Sequence, residues 1–162
     1  MVKQVASRKV LSKEKRDAAA GRKKIAIVVS QFNQAICDNL LEGCIASLKE
    51  AGYQNNFAVF NVAGAFEIPL MAKRVLQTKK YAGVVVLGCV IRGDTPHFEY
   101  ISLAVTMGCQ QVQLDTGFPV AFGVITVNNK EQALERSGLN EFNKGREAVM
   151  ALLDSLATLA TL

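Results

Sequence analysis

The chain has 162 residues, half of them apolar, with 19 Lys and Arg against 14 Asp and Glu and a single His. That size and apolar content suit one domain with a proper core. No apolar run approaches the roughly 20 residues of a spanning helix, and the N-terminus lacks the apolar centre of a secretory leader, so a soluble, cytoplasmic protein with no membrane partner is expected.

Residues 1–24 carry nine Lys/Arg and two Asp/Glu (+7), whereas the remainder carries ten against twelve (−2). The stretch has no sustained apolar periodicity, so it reads as a basic, disordered tail preceding a single domain over 25–162. Basic termini are common, and a nucleic-acid partner is not expected. KIAIVVS (24–30) is a continuous β-branched run, suited to a strand covered on both faces. Ile36, Leu40, Leu41, Cys44, Ile45 and Leu48 then recur at steps of three and four before Ala51-Gly52, predicting a helix with a glycine stop.

The cycle repeats. NFAVFNV, AGVVVLGCVI and PVAFGVIT read as strands; EIPLMAKRVLQTKK and FEYISLAVTMGCQQVQLDTG read as helices between them; two further helices follow, around KEQALERSG and from Asn143 onward. Four strands separated by helices predict right-handed crossovers and an α/β fold, a three-layer αβα sandwich around a four-stranded parallel sheet. The cysteines, Cys37, Cys44, Cys89 and Cys109, form no Cys-x-x-Cys pair. They read as reduced packing residues, and no metal site is expected.

Ligands of such a sheet bind outside the carboxyl ends of its strands, where strand order reverses. The residues after the strands are Phe32-Asn33, Ala65-Phe66-Glu67, Arg92 to His97, and Thr126 to Asn129. Gly93 permits a sharp turn, Thr95 suits an N-cap and Pro96 the first helical position, so free N–H groups and the positive helix end converge on an anion site. Arg92 either adds charge there or pairs with a carboxylate. His97, the only histidine, falls in the first helical turn beside that site, as a candidate proton carrier near neutral pH. Phe32 reads either as an exposed stacking ring or as core. Glu67 reads as a ligand contact or as a charge favoured at a helix start. Arg136 and Lys144 read as phosphate cations or as surface charges. With no GxGxxG, Walker or Ser-His-Asp pattern, these residues reach an α/β protein with an anion-binding, acid–base site and name no substrate.

The order FN, GAFEIP, GCVIRGDTPHFEYI, FGVIT, EQALERSG and NKGREAV, over about residues 24–160, resembles the lumazine synthase family. The resemblance implies a flavodoxin-like fold. It also implies a condensation of 5-amino-6-(D-ribitylamino)uracil with 3,4-dihydroxy-2-butanone 4-phosphate in riboflavin biosynthesis, with no cofactor. By motif, His97 is the proton shuttle and Phe32, with Asn33 beside it, stacks on the pyrimidine. Ala65, Phe66 and Glu67 meet the ribityl chain, and Cys89, Val90 and Ile91 line the ring pocket. Gly93, Asp94 and Thr95 meet phosphate, with Arg136 as its main cation. Asp94 stands where the pattern more often has a small residue, so its implied contact is through its backbone N–H. Phe122 and Lys144 come from stretches contributed by a neighbouring subunit or the site rim. The implied active unit is a homopentamer, with an isolated ring preferred to a shell of twelve pentamers. The rival expectation is a non-catalytic binder of a lumazine or a phosphorylated ligand.

Overall fold

The computed structural model describes residues 23–162; the basic tail expected over 1–24 lies outside them except for its last two residues. Its elements in chain order are β1 (Lys24–Ser30), α1 (Gln34–Glu50), β2 (Phe57–Val62), a 3-10 turn (Ala65–Glu67), α2 (Ile68–Gln77), β3 (Tyr81–Ile91), α3 (His97–Thr116), β4 (Val120–Val127), α4 (Lys130–Ser137) and α5 (Lys144–Leu159). Every strand and helix expected from periodicity is present, with ends moved by a residue or a few, as fraying ends allow. One local expectation is corrected. Thr95 does not cap α3: Pro96 occupies the cap position, its carbonyl accepts from Glu99 N–H at 3.1 Å, and no side chain caps this helix start. Pro96 already has the φ of −64° that a helix entry needs, so the turn closes on its carbonyl instead.

All four strands are parallel, in the order β2-β1-β3-β4. The chain therefore moves one way from β1 to β2 and the other way from β2 through β3 to β4. Crossovers of one hand then place α1 on one face and α2 and α3 on the other. The alternation of β1 shows this directly. Ile25, Ile27 and Val29 pack with α1, α4 and α5, whereas Ala26 and Val28 pack with α2 and α3. β1 and the middle of β3 are buried on both faces, which is why their sequences are unbroken apolar runs.

The α1/α5 layer is fixed by Asn143, a fully buried polar residue at the start of α5. Its Oδ1 accepts from the N–H groups of Gly145 (2.9 Å) and Arg146 (3.2 Å), capping the helix. Its Nδ2 donates to the carbonyls of Ser137 (2.8 Å), Asn39 (3.0 Å) and Gly138 (3.1 Å), joining α1, the end of α4 and α5 in one network. Only glycine fits beside it. A Cβ at Gly43 would strike the Asn143 amide, and one at Gly145 would strike the Leu40 carbonyl. At the rim of the same layer, Arg146 forms a two-pronged ion pair with Glu50 of α1.

Asn143→Ala removes the cap and leaves buried carbonyls without a donor, so the protein should lose about 3 kcal/mol of stability. Urea denaturation checks this. Asn143→Asp should be no more stable than Ala, because a carboxylate keeps the cap but turns an acceptor toward three carbonyls.

Candidate active site

β1 and β3 are the neighbours between which strand order reverses, and the residues that follow them line a cavity of about 660 Å³ at their carboxyl ends. Its walls are Phe32 from the β1–α1 turn; Ala65, Phe66 and Glu67 after β2; Cys89, Val90 and Ile91 at the end of β3; and Gly93, Thr95 and His97 from the β3–α3 connection. Gly64, Phe98 and Ile101 complete it. The volume is that of a typical small-molecule site.

The β1–α1 turn is built to present Phe32. Asn33 takes the left-handed conformation (φ 57°, ψ 46°), which Asn tolerates better than most residues. Ser30 Oγ accepts from Phe32 N–H at 3.1 Å, and the Cys37 thiol meets the Phe32 carbonyl at 3.2 Å. Both Phe32 peptide groups are thus held while its side chain stays 69% exposed. That excludes core packing for this ring.

His97 is the first residue of α3 and, like Phe32, lies on the cavity wall. Helical spacing carries Ile101, four residues on, to the same wall. That spacing was the available signal for Ile101, and the three-residue step from Phe98 to Ile101 was the signal for Phe98; the sequence reading used neither. Cys89 is a buried thiol whose pKa is pushed up to about 11 by burial, and burial likewise raises Cys37 to about 12. Both remain protonated near neutral pH, so Cys89 shapes the wall and Cys37 packs behind it in the core without either acting as a nucleophile. Among the described residues no group of three or more His, Cys, Asp or Glu side chains could hold a metal ion.

Arg92 is committed elsewhere. Its guanidinium pairs with Glu99 in the first turn of α3, lies 4.5 Å over the Phe98 ring, and donates through Nε to Asn128 Oδ1 at 3.1 Å. The hydrogen bond from Arg92 holds the Glu99 carboxyl below its ordinary range. Asp94 is exposed and does not line the cavity. Nor does Asn33, whose side-chain amide donates to the Cys89 carbonyl at 2.9 Å.

The remaining candidates are not brought to this cavity within one chain. Arg136 and Lys144 line a separate cleft of about 840 Å³ between α4, α5 and α1, where Arg136 donates to the Gln132 carbonyl and meets Glu135, and Lys144 pairs with Glu147. Phe122 projects from β4, an edge strand of the sheet, and lines neither space.

Residues 22–160 match the model of the 6,7-dimethyl-8-ribityllumazine synthase family. A 6,7-dimethyl-8-ribityllumazine synthase of Chlorobium phaeovibrioides (strain DSM 265 / 1930) is 46% identical over 134 residues, covering 82% of this chain and 86% of that protein. One of Syntrophus aciditrophicus (strain SB) is 46% identical over 132 residues, covering 81% and 86%. With the match running from just before β1 through the last turn of α5, the chain belongs to the 6,7-dimethyl-8-ribityllumazine synthase family.

Proposed function

We infer that this chain catalyses the condensation of 5-amino-6-(D-ribitylamino)uracil with 3,4-dihydroxy-2-butanone 4-phosphate to 6,7-dimethyl-8-ribityllumazine, releasing phosphate and water. The observation that carries it is one cavity walled by both Phe32, an exposed ring, and His97, the chain's only histidine. Phe32 stacks on the pyrimidine. Ala65, Phe66 and Glu67 meet the ribityl chain, and Cys89, Val90 and Ile91 close the ring pocket. The backbone of Gly93, Asp94 and Thr95, beside the uncapped start of α3, receives phosphate.

Amine attack on the ketone, loss of phosphate, tautomerisation and ring closure all move protons, and one imidazole serves several of these steps in turn. Charge develops on the departing phosphate, where a helix N-terminus and Arg136 stabilise it. Much of the remaining acceleration comes from holding two reactants side by side. A site with a single proton carrier is sufficient for such a reaction. The rival expectation, a non-catalytic binder, is not favoured by relatives named as synthases.

A single chain separates Arg136, Lys144 and Phe122 from His97, and the reading that reunites them is a homopentamer in which one subunit supplies the first three to its neighbour's cavity. Surface chemistry supports it. Tyr100, Leu103, Met107 and Leu114 form an exposed apolar stripe along α3, opposite the buried Val105, Cys109 and Val112. A helix apolar on both sides calls for a covering partner. An isolated ring is preferred to a shell, because the +7 of residues 1–24 would gather like charges from many chains. Four buried free thiols suit the reducing cytoplasm as its compartment.

His97→Ala should slow turnover by about 10- to 1000-fold with a modest change in substrate affinity; initial rates of lumazine formation, followed by absorbance, check this. Unchanged turnover in the folded variant would refute the role. Arg136→Ala should weaken the butanone phosphate by about 1.5–3 kcal/mol and the pyrimidine far less, as read by separate calorimetric titrations. Light scattering at moderate salt should give the mass of five chains, and a fully active monomer would overturn the shared site.

A further inference from the structure

We propose that Asn33 is a positioning residue for the pyrimidine half of the site: its side-chain amide extends the β1–β3 ladder past the end of β1 and so fixes where the Phe32 ring stands. The β1–β3 register ends at Val29 opposite Leu87. The N–H groups of Val84 on β3 and of Arg92 just past its end point to the β4 side, to the carbonyls of Pro119, just before β4, and Val127. By the alternation of a strand, the peptide groups of odd-numbered β3 residues point toward β1. The Cys89 carbonyl therefore faces the place where β1 has already turned away, and the donor it meets there is Asn33 Nδ2, at 2.9 Å.

That one bond crosses the opening of the crevice, between residues 56 apart in sequence. On its β1 side, the Asn33 carbonyl accepts from the N–H groups of Ile36 (3.0 Å) and Cys37 (3.2 Å), so the residue is also tied into the first turn of α1. Phe32 sits immediately before this double anchor with its own peptide groups engaged. An exposed aromatic ring is a useful stacking platform only if its direction is set before the ligand arrives; otherwise ordering it costs affinity. Asn33 does not line the cavity. Its effect must pass through the turn it holds.

The left-handed backbone at Asn33 dictates the variant. Asn33→Gly keeps that conformation at no steric cost and removes the amide alone, whereas Asn33→Ala would add backbone strain. The inference rests on Phe32 as the stacking ring, so the test is a double-mutant cycle in the full-length protein: Phe32→Ala, Asn33→Gly and both, titrated with the ribitylaminopyrimidine and, separately, with the butanone phosphate. Phe32→Ala should weaken the pyrimidine by about 5- to 100-fold. Asn33→Gly should weaken it by about 3- to 10-fold in the native background, leave the butanone phosphate unchanged, and have no further effect once Phe32 is Ala. If Phe32→Ala leaves pyrimidine affinity unchanged, the stacking assignment fails, and this inference with it. If Phe32→Ala weakens binding but Asn33→Gly does not, or the two losses simply multiply, Asn33 does not act through Phe32 and the positioning role is overturned while the stacking assignment stands. Equal weakening of both substrates by Asn33→Gly would mark a general structural role and overturn the proposal too.

Discussion

The parting of two parallel strands governs this molecule. β1 and β3 are hydrogen-bonded side by side until the chain leaves them toward opposite faces of the sheet, α1 to one and α3 to the other. No backbone remains to fill the space between their ends, so a crevice opens there as a consequence of topology. The same parting leaves main-chain groups beyond the last ladder pair that need new partners. Asn33 Nδ2 on the Cys89 carbonyl is one such replacement, and the Arg92 N–H on the Val127 carbonyl shows the adjacent strand pair continuing where β1 does not.

Around that crevice the chemistry is sparse. The one wall thiol, Cys89, is held protonated by burial, Arg92 is spent on Glu99, Phe98 and Asn128, and Asn33 is spent on β3. What remains to face a ligand is two exposed aromatic rings, Phe32 and Phe66, an imidazole, a carboxylate and the N–H groups of a helix start that no side chain caps. Such a set has the chemistry to bind, orient and move protons. It matches a reaction whose difficulty lies in bringing two polar molecules together in the right order.

The two clefts of the chain differ chemically. The His97 cavity has an aromatic and largely apolar wall, while the second cleft carries Arg136, Lys144 and Arg146 among the carboxylates of Glu50, Glu135, Glu141, Glu147 and Asp154. Arg136 meets Glu135, and Lys144 meets Glu147, through exposed pairs of little energetic worth. Exposed pairs of this kind exchange partners at small cost. The buried Asn143 network lies directly between α4 and α5, so the elements bearing both cations are held rigidly even though their side chains are not.

Strand and helix order, the α/β class and the crowding of unusual residues behind strand ends were legible in the sequence because they depend on local periodicity and on topology rules that act on short segments. Phe32 could be singled out because it stands just beyond an apolar run, and His97 because it is the only histidine and opens the helix after the turn of a later such run. Tertiary structure was needed for the rest. Whether the Phe32 ring was core or exposed depended on its N–H donating to Ser30 Oγ and its carbonyl accepting from the Cys37 thiol, which hold its backbone at the turn. The partner of Arg92 was seven residues away on a helix whose phase followed from Pro96 rather than Thr95 as its cap. Asn143 gave no signal of burial, since a polar residue before a helix reads as an exposed cap, and only the approach of α1 through Gly43 encloses it. Residues near in sequence reveal themselves through periodicity; contacts across 56 or 104 positions, such as Asn33 to Cys89 and Asn143 to Asn39, exist only once the sheet has brought its helices together.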